Sequence, residues 1–260
     1  MNRMIAGLLL STAALAAPAA AQTALGLTGD RTIVMIDPAT AAVTGMVEVQ
    51  GVDRLLGIDY RPGNMTLIGV TAEQAIVEID PATGATTELS KMQTMLPVMD
   101  GTPVIVEVNA VPDRLRFMTG TTNHRVNMDT GEVTVDGALN WDAGDANAGA
   151  TPMVVATGYT NSYGKPESTA MFNIDAGLSA LVQQTKPNDG VLKTIGGLGV
   201  MLQGPVALDI ATDAAGNNTA WVAALGGLHT VDLETGAVTG SWTITGLEGE
   251  VRDLTIWPAM

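Results

Sequence analysis

Val77-Glu78-Ile79-Asp80-Pro81-Ala82-Thr83-Gly84 is a run of β-formers closed by a tight turn. Asp can bond its own following backbone, Pro presets the next φ, and Gly tolerates the positive φ that closes a hairpin. Variants stand at Val34-Met35-Ile36-Asp37-Pro38-Ala39-Thr40, Val126-Asn127-Met128-Asp129-Thr130-Gly131, Phe172-Asn173-Ile174-Asp175-Ala176-Gly177 and Val231-Asp232-Leu233-Glu234-Thr235-Gly236. Aligned on Asp37, Asp80, Asp129, Asp175 and Asp232, the copies recur about every 49 residues, which suits a β-propeller blade.

One repeat resolves into four short strands. Leu56-Gly57-Ile58-Asp59-Tyr60 is stopped by Arg61-Pro62-Gly63-Asn64, and then come Thr66 to Val70, Ala75 to Ile79 and Thr86 to Leu89. With no helical periodicity, this describes an antiparallel blade. Val104 to Leu139, Val154 to Val182 and Val206 to Thr245 repeat the grammar. The ends are incomplete: Thr32 to Val49 supplies outer strands, and Arg252 to Trp257 one apolar strand. Pairing them would close the ring and remove exposed sheet edges. The fold expected is all-β, a single five-bladed propeller over residues 22–260. The longest spacing, Asp175 to Asp232, suggests a turn at Lys186 to Gly190 and an added strand between the fourth and fifth blades.

Residues 1–21 read as a signal peptide. Arg3 precedes an uncharged apolar run from Met4 to Ala17, and Ala19-Ala20-Ala21 offers small residues for cleavage. The run is too short to span a bilayer. A secreted chain, periplasmic or extracellular and monomeric, is expected, with no membrane insertion after cleavage. It has no cysteine, so stability must come from its core. Net charge is −15, with 12 Lys and Arg against 27 Asp and Glu, which excludes nucleic-acid partners. Aromatic residues make up only 3%, which argues against a sugar-stacking surface.

Three groups of residues carry candidate chemistry. Arg114 and Arg116 share one strand face, and Asn123, Arg125 and Asn127 share one face of the next. Guanidinium forks there suit a carboxylate or phosphate ligand, or else pair with Asp59, Asp113 or Glu107 across blades, the reading the sequence favours. Asp59, Glu107 and Asp209 occupy similar inner-strand positions, where a central channel would let them bind Ca²⁺ or another hard cation; capping turns or pairing with Arg61 and the arginines above is the reading the sequence favours. Asp142, Asp145 and Asn147 lie in a Gly- and Asp-rich loop. It lacks the spacing of an EF-hand and reads as a connector more readily than as a calcium loop.

The catalytic case is thin. His124 and His229 are the only histidines, there is no Gly-x-Ser-x-Gly elbow, and no cysteine nucleophile exists. No catalytic residue is assigned. The leading expectation is a non-catalytic binding or scaffold protein for an unknown small molecule or envelope protein. The alternatives are a metal-dependent hydrolase or lyase at the channel mouth, with Asp59, Glu107, Asp209 and His124, or a surface protein–protein interaction module.

Several stretches stand in one order along the chain: Gly57-Ile58-Asp59-Tyr60-Arg61-Pro62, Asp113-Arg114-Leu115-Arg116, Asp136-Gly137-Ala138-Leu139, Gly144 to Pro152, Tyr159-Thr160-Asn161-Ser162 and Pro187-Asn188-Asp189-Gly190. Together they resemble a secreted bacterial family known only as a domain of unknown function with a propeller-like fold. The resemblance spans nearly all of the mature chain. It implies secretion and a propeller and brings no catalytic residues with it. The chain departs from the usual pattern at Glu107, Ala110 and Met128.

Overall fold

The computed structural model describes residues 22–99 and 101–258. The expected leader over residues 1–21 lies outside them. Every element among the described residues is a β-strand. The first blade takes β1 (Thr23–Thr28), β2 (Thr32–Asp37) and β3 (Ala42–Glu48) from the N-terminal part of the chain. The second is β4 (Leu55–Arg61), β5 (Thr66–Thr71), β6 (Ala75–Ile79) and β7 (Thr86–Lys91). The third is β8 (Ile105–Asn109), β9 (Arg114–Thr119), β10 (Thr122–Val126) and β11 (Val133–Val135).

Blade four has β12 (Asn140–Trp141), β13 (Val154–Tyr159), β14 (Met171–Asp175), β15 (Ala180–Lys186) and β16 (Val191–Gly197). Blade five has β17 (Val206–Thr212), β18 (Asn218–Ala224), β19 (Gly227–Val231) and β20 (Val238–Thr243). Finally β21 (Asp253–Trp257) pairs antiparallel with β1 as the innermost strand of blade one. The inner strands β21, β4, β8, β13 and β17 each contact the next around the ring. The fold is a five-bladed β-propeller closed by its two chain ends, as the repeat predicts. The expectation omits β1, which gives blade one three N-terminal strands.

Burial follows from position in the ring. Inner strands are sandwiched between neighbouring blades, so β4 and β17 are buried along almost their whole length. Rim strands face water, and β7 is accordingly Thr-Thr-Glu-Leu-Ser-Lys, with no residue fully buried. The core divides into five apolar clusters, one per blade junction. The junction of blades three and four also buries Arg116, Asn123, Asn173 and Gln184.

The repeated phrase is a joint between blades as well as a hairpin. Asp80 Oδ1 accepts from Ala82 N at 2.9 Å, Oδ2 from Thr83 Oγ1 at 2.7 Å, and its carbonyl from Gly84 N at 2.8 Å. Gly84 has φ +74°, and a Cβ there would strike the Glu48 carbonyl oxygen of the preceding blade; Gly131, φ +72°, sits likewise against the Lys91 carbonyl. Gln50 N and Gln93 N donate to the carbonyls of Gly84 and Gly131, tying each blade to the next.

Two copies are aligned differently from the expectation. In blade three, Asn127 takes the turn position, its carbonyl accepting from Gly131 N and its Oδ1 from Asp129 N. Asp129 is therefore released from the turn. In blade four the equivalent turn is Lys186 to Gly190, joining β15 to β16. Asp175 instead lies at the end of β14, where its side chain accepts from Met153 N and Leu178 N. The added strand is correspondingly β12, which precedes the blade and pairs parallel with β16.

Candidate functional site

Five equivalent inner-strand positions face the axis: Asp59, Glu107, Gly158, Asp209 and Thr255. At four of them a side-chain oxygen accepts from the backbone N–H that follows the equivalent residue in the next blade. Asp59 Oδ2 receives Val108 N at 2.6 Å, Glu107 Oε1 receives Tyr159 N at 2.8 Å, and Asp209 Oδ2 receives Ile256 N. Thr255 Oγ1 receives Tyr60 N at 3.1 Å and donates to Asp59 Oδ1 at 2.8 Å. Asp253, two residues earlier on β21, likewise receives Ile58 N at 2.7 Å. Gly158 has no side chain to offer, and a Cβ there would lie 2.8 Å from Ile210 Cγ1.

The ring brings together the three acids singled out from sequence. One oxygen each of Asp59, Glu107 and Asp209 lie within 4.8 Å of one another, and all three residues are buried. Burial raises the carboxyl of Asp59, and the neighbouring Asp209 raises it further. Glu107 is raised by burial and then by Asp59 and Asp209. Burial also raises Asp209, and pushes Asp253 up to about 7. Packed this closely and desolvated, the carboxyls cannot all ionise unless a cation joins them. The triad can hold a metal ion, and the void above it, about 20 Å³, is the size of one water.

The arginines gather at the junction of blades three and four, around a cleft of about 620 Å³. Arg114, Arg116, Arg125 and Lys186 line it with a single acid, Asp189. Four of the chain's 12 Lys and Arg residues therefore share one opening. The expected pairing with Asp59, Asp113 or Glu107 does not occur. Asp59 and Glu107 are committed to backbone N–H groups of the ring. Asp113 and the released Asp129 both clasp Arg61, with Nη2 to Asp113 Oδ2 at 2.6 Å and Nη1 to Asp129 Oδ1 at 2.8 Å. From sequence Arg61 is only a possible partner of the inner acids, yet it locks blade two to blade three.

Asp136, also outside the expected pairings, is the counter-ion of the cleft. It receives Arg116 Nη1 at 2.7 Å and Arg125 through Nε at 2.7 Å and Nη2 at 2.9 Å. The side chains of Arg116 and Asp136 are only 2% and 5% exposed. Arg116 also reaches Asn123 Oδ1, the Tyr159 hydroxyl and Asn188 Oδ1. Asn123 in turn donates to the carbonyls of Gly137 and Pro187, so it supports the wall from behind. Arg114 differs from the others. Its Nη1 meets only the carbonyls of Pro112 and Asp113, and it has no ion pair among the described residues. Asn127 is spent in its turn and borders only a smaller hollow beside Arg114 and Arg125.

The loop at 142–147 is a stapled connector. Asp142 Oδ1 caps Gly144 N, while Asp145 receives Asn147 N, Thr194 N and Thr194 Oγ1. Asn147 Nδ2 donates to Asp145 Oδ1 and Thr194 Oγ1, fastening the loop to β16. These bonds engage both Asp145 oxygens and fix the loop against β16. His124 is buried on β10, opposite Phe117 and Val135, and burial lowers its pKa. It belongs to no group of three potential metal ligands among the described residues, so it does not join the axial acids. His229, on β19, bonds Ser241 Oγ on β20 and the Ala224 carbonyl on β18.

No curated protein matches the chain. Solved structures of similar arrangement include a luciferin-regenerating enzyme, 12% identical, covering 91% of this chain and 80% of that one with a TM-score of 0.49. A protein of unknown function from Bacteroides thetaiotaomicron is 14% identical, covering 94% and 68%, with a TM-score of 0.49. An auxiliary nutrient binding protein from Bacteroides ovatus is 16% identical, covering 78% and 56%, with a TM-score of 0.45. Likeness at this level concerns the course of the strands and carries no chemistry. Residues 20–255 match a family described as a domain of unknown function, DUF4394, and the chain belongs to that family.

Proposed function

We propose that this protein is a non-catalytic binding protein, working in the periplasm or outside the cell, whose ligand is a small oxyanion-bearing molecule held in the Arg114 cleft. The observation that carries this reading is Arg114 itself. It is a guanidinium at an open cleft with no ion pair among the described residues; Asp113 and Asp129 are committed to Arg61, and Asp189 and Glu132, which line the cleft and the neighbouring hollow, make no ion pair with it. Arg116 and Arg125 share one carboxylate, which leaves positive charge in the cleft of an otherwise strongly acidic chain. Carboxylate and phosphate groups both match a guanidinium fork. Ser168, Thr169 and Asn188 add neutral hydrogen-bonding groups to the wall.

Calorimetric titration with citrate and with inorganic phosphate tests the reading. Saturable binding of at least one anion is expected, and Arg114→Gln should weaken it by about tenfold or more without lowering the melting temperature. No binding by either anion, or equal binding by the variant, would remove the proposal.

A second reading rests on the convergence of Asp59, Glu107 and Asp209: a resident hard cation such as Ca²⁺ on the axis, serving stability. Elemental analysis of protein from its native compartment should then find a stoichiometric cation. Chelator should lower the melting temperature, and a flat response would dismiss the reading.

A further inference from the structure

The chain has few aromatic residues, yet three of them meet beside the channel mouth. Tyr60 is the penultimate residue of the inner strand of blade two, and Trp257 the last of that of blade one. Their rings pack edge to face with centroids 5.3 Å apart, at 70°. Tyr163 arrives from the loop between β13 and β14. Just before it, Ser162 is pinned to blade five by Oγ to Ile210 O at 2.7 Å and by its N–H to Thr212 Oγ1 at 2.8 Å. Tyr163 is nevertheless 52% exposed. These rings, with Pro62, Met65 and Pro258, line a cleft of about 450 Å³ that contains no charged residue. Tyr60, Tyr163 and Pro258 also line the void over Asp59, Glu107 and Asp209, so the aromatic cleft adjoins the hollow above the buried carboxyls.

We infer that this cleft is a binding site for an organic ammonium ion, with its alkylated nitrogen against the aromatic faces and its charge toward the axial acids. Aromatic faces attract cations electrostatically, and the attraction strengthens where water is thin. A bare metal ion is too strongly hydrated to rest on rings, and an anion would meet both their negative faces and the carboxyls beneath. An alkylated ammonium gives up little hydration and presents apolar surface to Pro62, Met65 and Pro258. Arg61, which lies between Tyr60 and Pro62 of the lining in sequence, is neutralised by Asp113 and Asp129. The overall charge of −15 further favours cation entry. This site is distinct from the Arg114 cleft, which is built from β9, β10 and the Lys186–Gly190 turn.

The test is a pair of isosteric probes, choline and 3,3-dimethylbutan-1-ol, which differ in carrying a charged nitrogen or a neutral carbon. Calorimetry or chemical-shift titration of the full chain should show choline preferred by about tenfold or more. Tyr163→Leu, at a half-exposed loop position, should reduce choline affinity about threefold or more with an unchanged melting temperature, while Tyr163→Phe retains it. Trp257→Leu should have the larger effect. Arg114→Gln should leave choline binding intact, which separates this site from the anion cleft. Equal affinity for the two probes, no saturable choline binding, or indifference to both Leu substitutions would overturn the inference.

Discussion

At the scale of single residues, the arginines at the third and fourth blades divide into a buried support, Arg116, and a half-buried hand without an ion pair, Arg114. Arg116 satisfies Asp136, Asn123, Asn188 and the Tyr159 hydroxyl together. Removing it leaves buried Asp136 with Arg125 alone and takes a donor from two amide oxygens and the Tyr159 hydroxyl, so Arg116→Ala should lower unfolding stability by about 3 kcal/mol. Arg116→Lys should recover little of that, because an ammonium cannot reproduce the planar fork. Urea denaturation measures both. Arg114→Gln, which breaks no ion pair, should stay within about 0.5 kcal/mol of the parent. A substitution at Arg114 that proved as damaging as Arg116→Ala would mean that it, too, supports the wall.

At the scale of elements, the turn between the third and fourth strand of a blade determines more than the hairpin. Its glycine leaves room for the carbonyl of the preceding blade, and the next chain segment donates to the glycine's own carbonyl. Gly131→Ala must therefore meet both an unfavourable φ and a collision with Lys91 O, a backbone atom that cannot swing aside. Gly216, at φ +85°, has open space where a Cβ would stand, with no neighbouring atom within 4 Å, so Gly216→Ala meets the φ cost alone. Thermal or urea unfolding should show a loss of about 1 kcal/mol for Gly216→Ala and at least about twice that for Gly131→Ala. Equal losses would mean that the turn glycine serves only its own hairpin. The same contrast explains why Asp175 misleads in sequence: an Asp-x-Gly step after a strand can close any hairpin, and it lacks the blade-to-blade glycine contact.

At the scale of the whole molecule, the ring is fastened at its axis by carboxyls that burial makes reluctant to ionise. Asp59, Glu107, Asp209 and Asp253 all lie above the usual carboxylate range, Asp253 at about 7 against an ordinary 3.8. A group raised in the folded state binds more protons folded than unfolded, so its contribution to stability is full below its unfolded pKa and is lost as pH rises through the folded one. Melting temperature should accordingly fall as pH rises from about 4 through about 7. Asp253→Asn should make that fall shallower. A melting temperature that climbs steadily across the same window would show that these acids are ionised in the folded protein, as a bound cation would make them.

How much was legible in advance follows from the range of the forces involved. The alternation of short β-formers with Asp, Thr and Gly turns is local chemistry, so strands, blade length, five-fold repetition and ring closure are all readable from Val77 to Gly84 and its copies. Equivalent positions in a repeat must also meet at the axis, which is why Asp59, Glu107 and Asp209 could be grouped from the repeat alone. The partners of Arg61, Arg114, Arg116 and Arg125 could not be read in this way. They depend on which loop of one blade faces which turn of the next, and on the two-residue displacement that releases Asp129 to Arg61. The aromatic cleft is likewise assembled from Tyr60, Tyr163 and Trp257, which are far apart in sequence. Strand and turn were determined by the sequence alone because their energetics are local. Which charges are neutralised and which remain open was decided only by the tertiary structure, because ion pairing depends on distances that the closed ring creates.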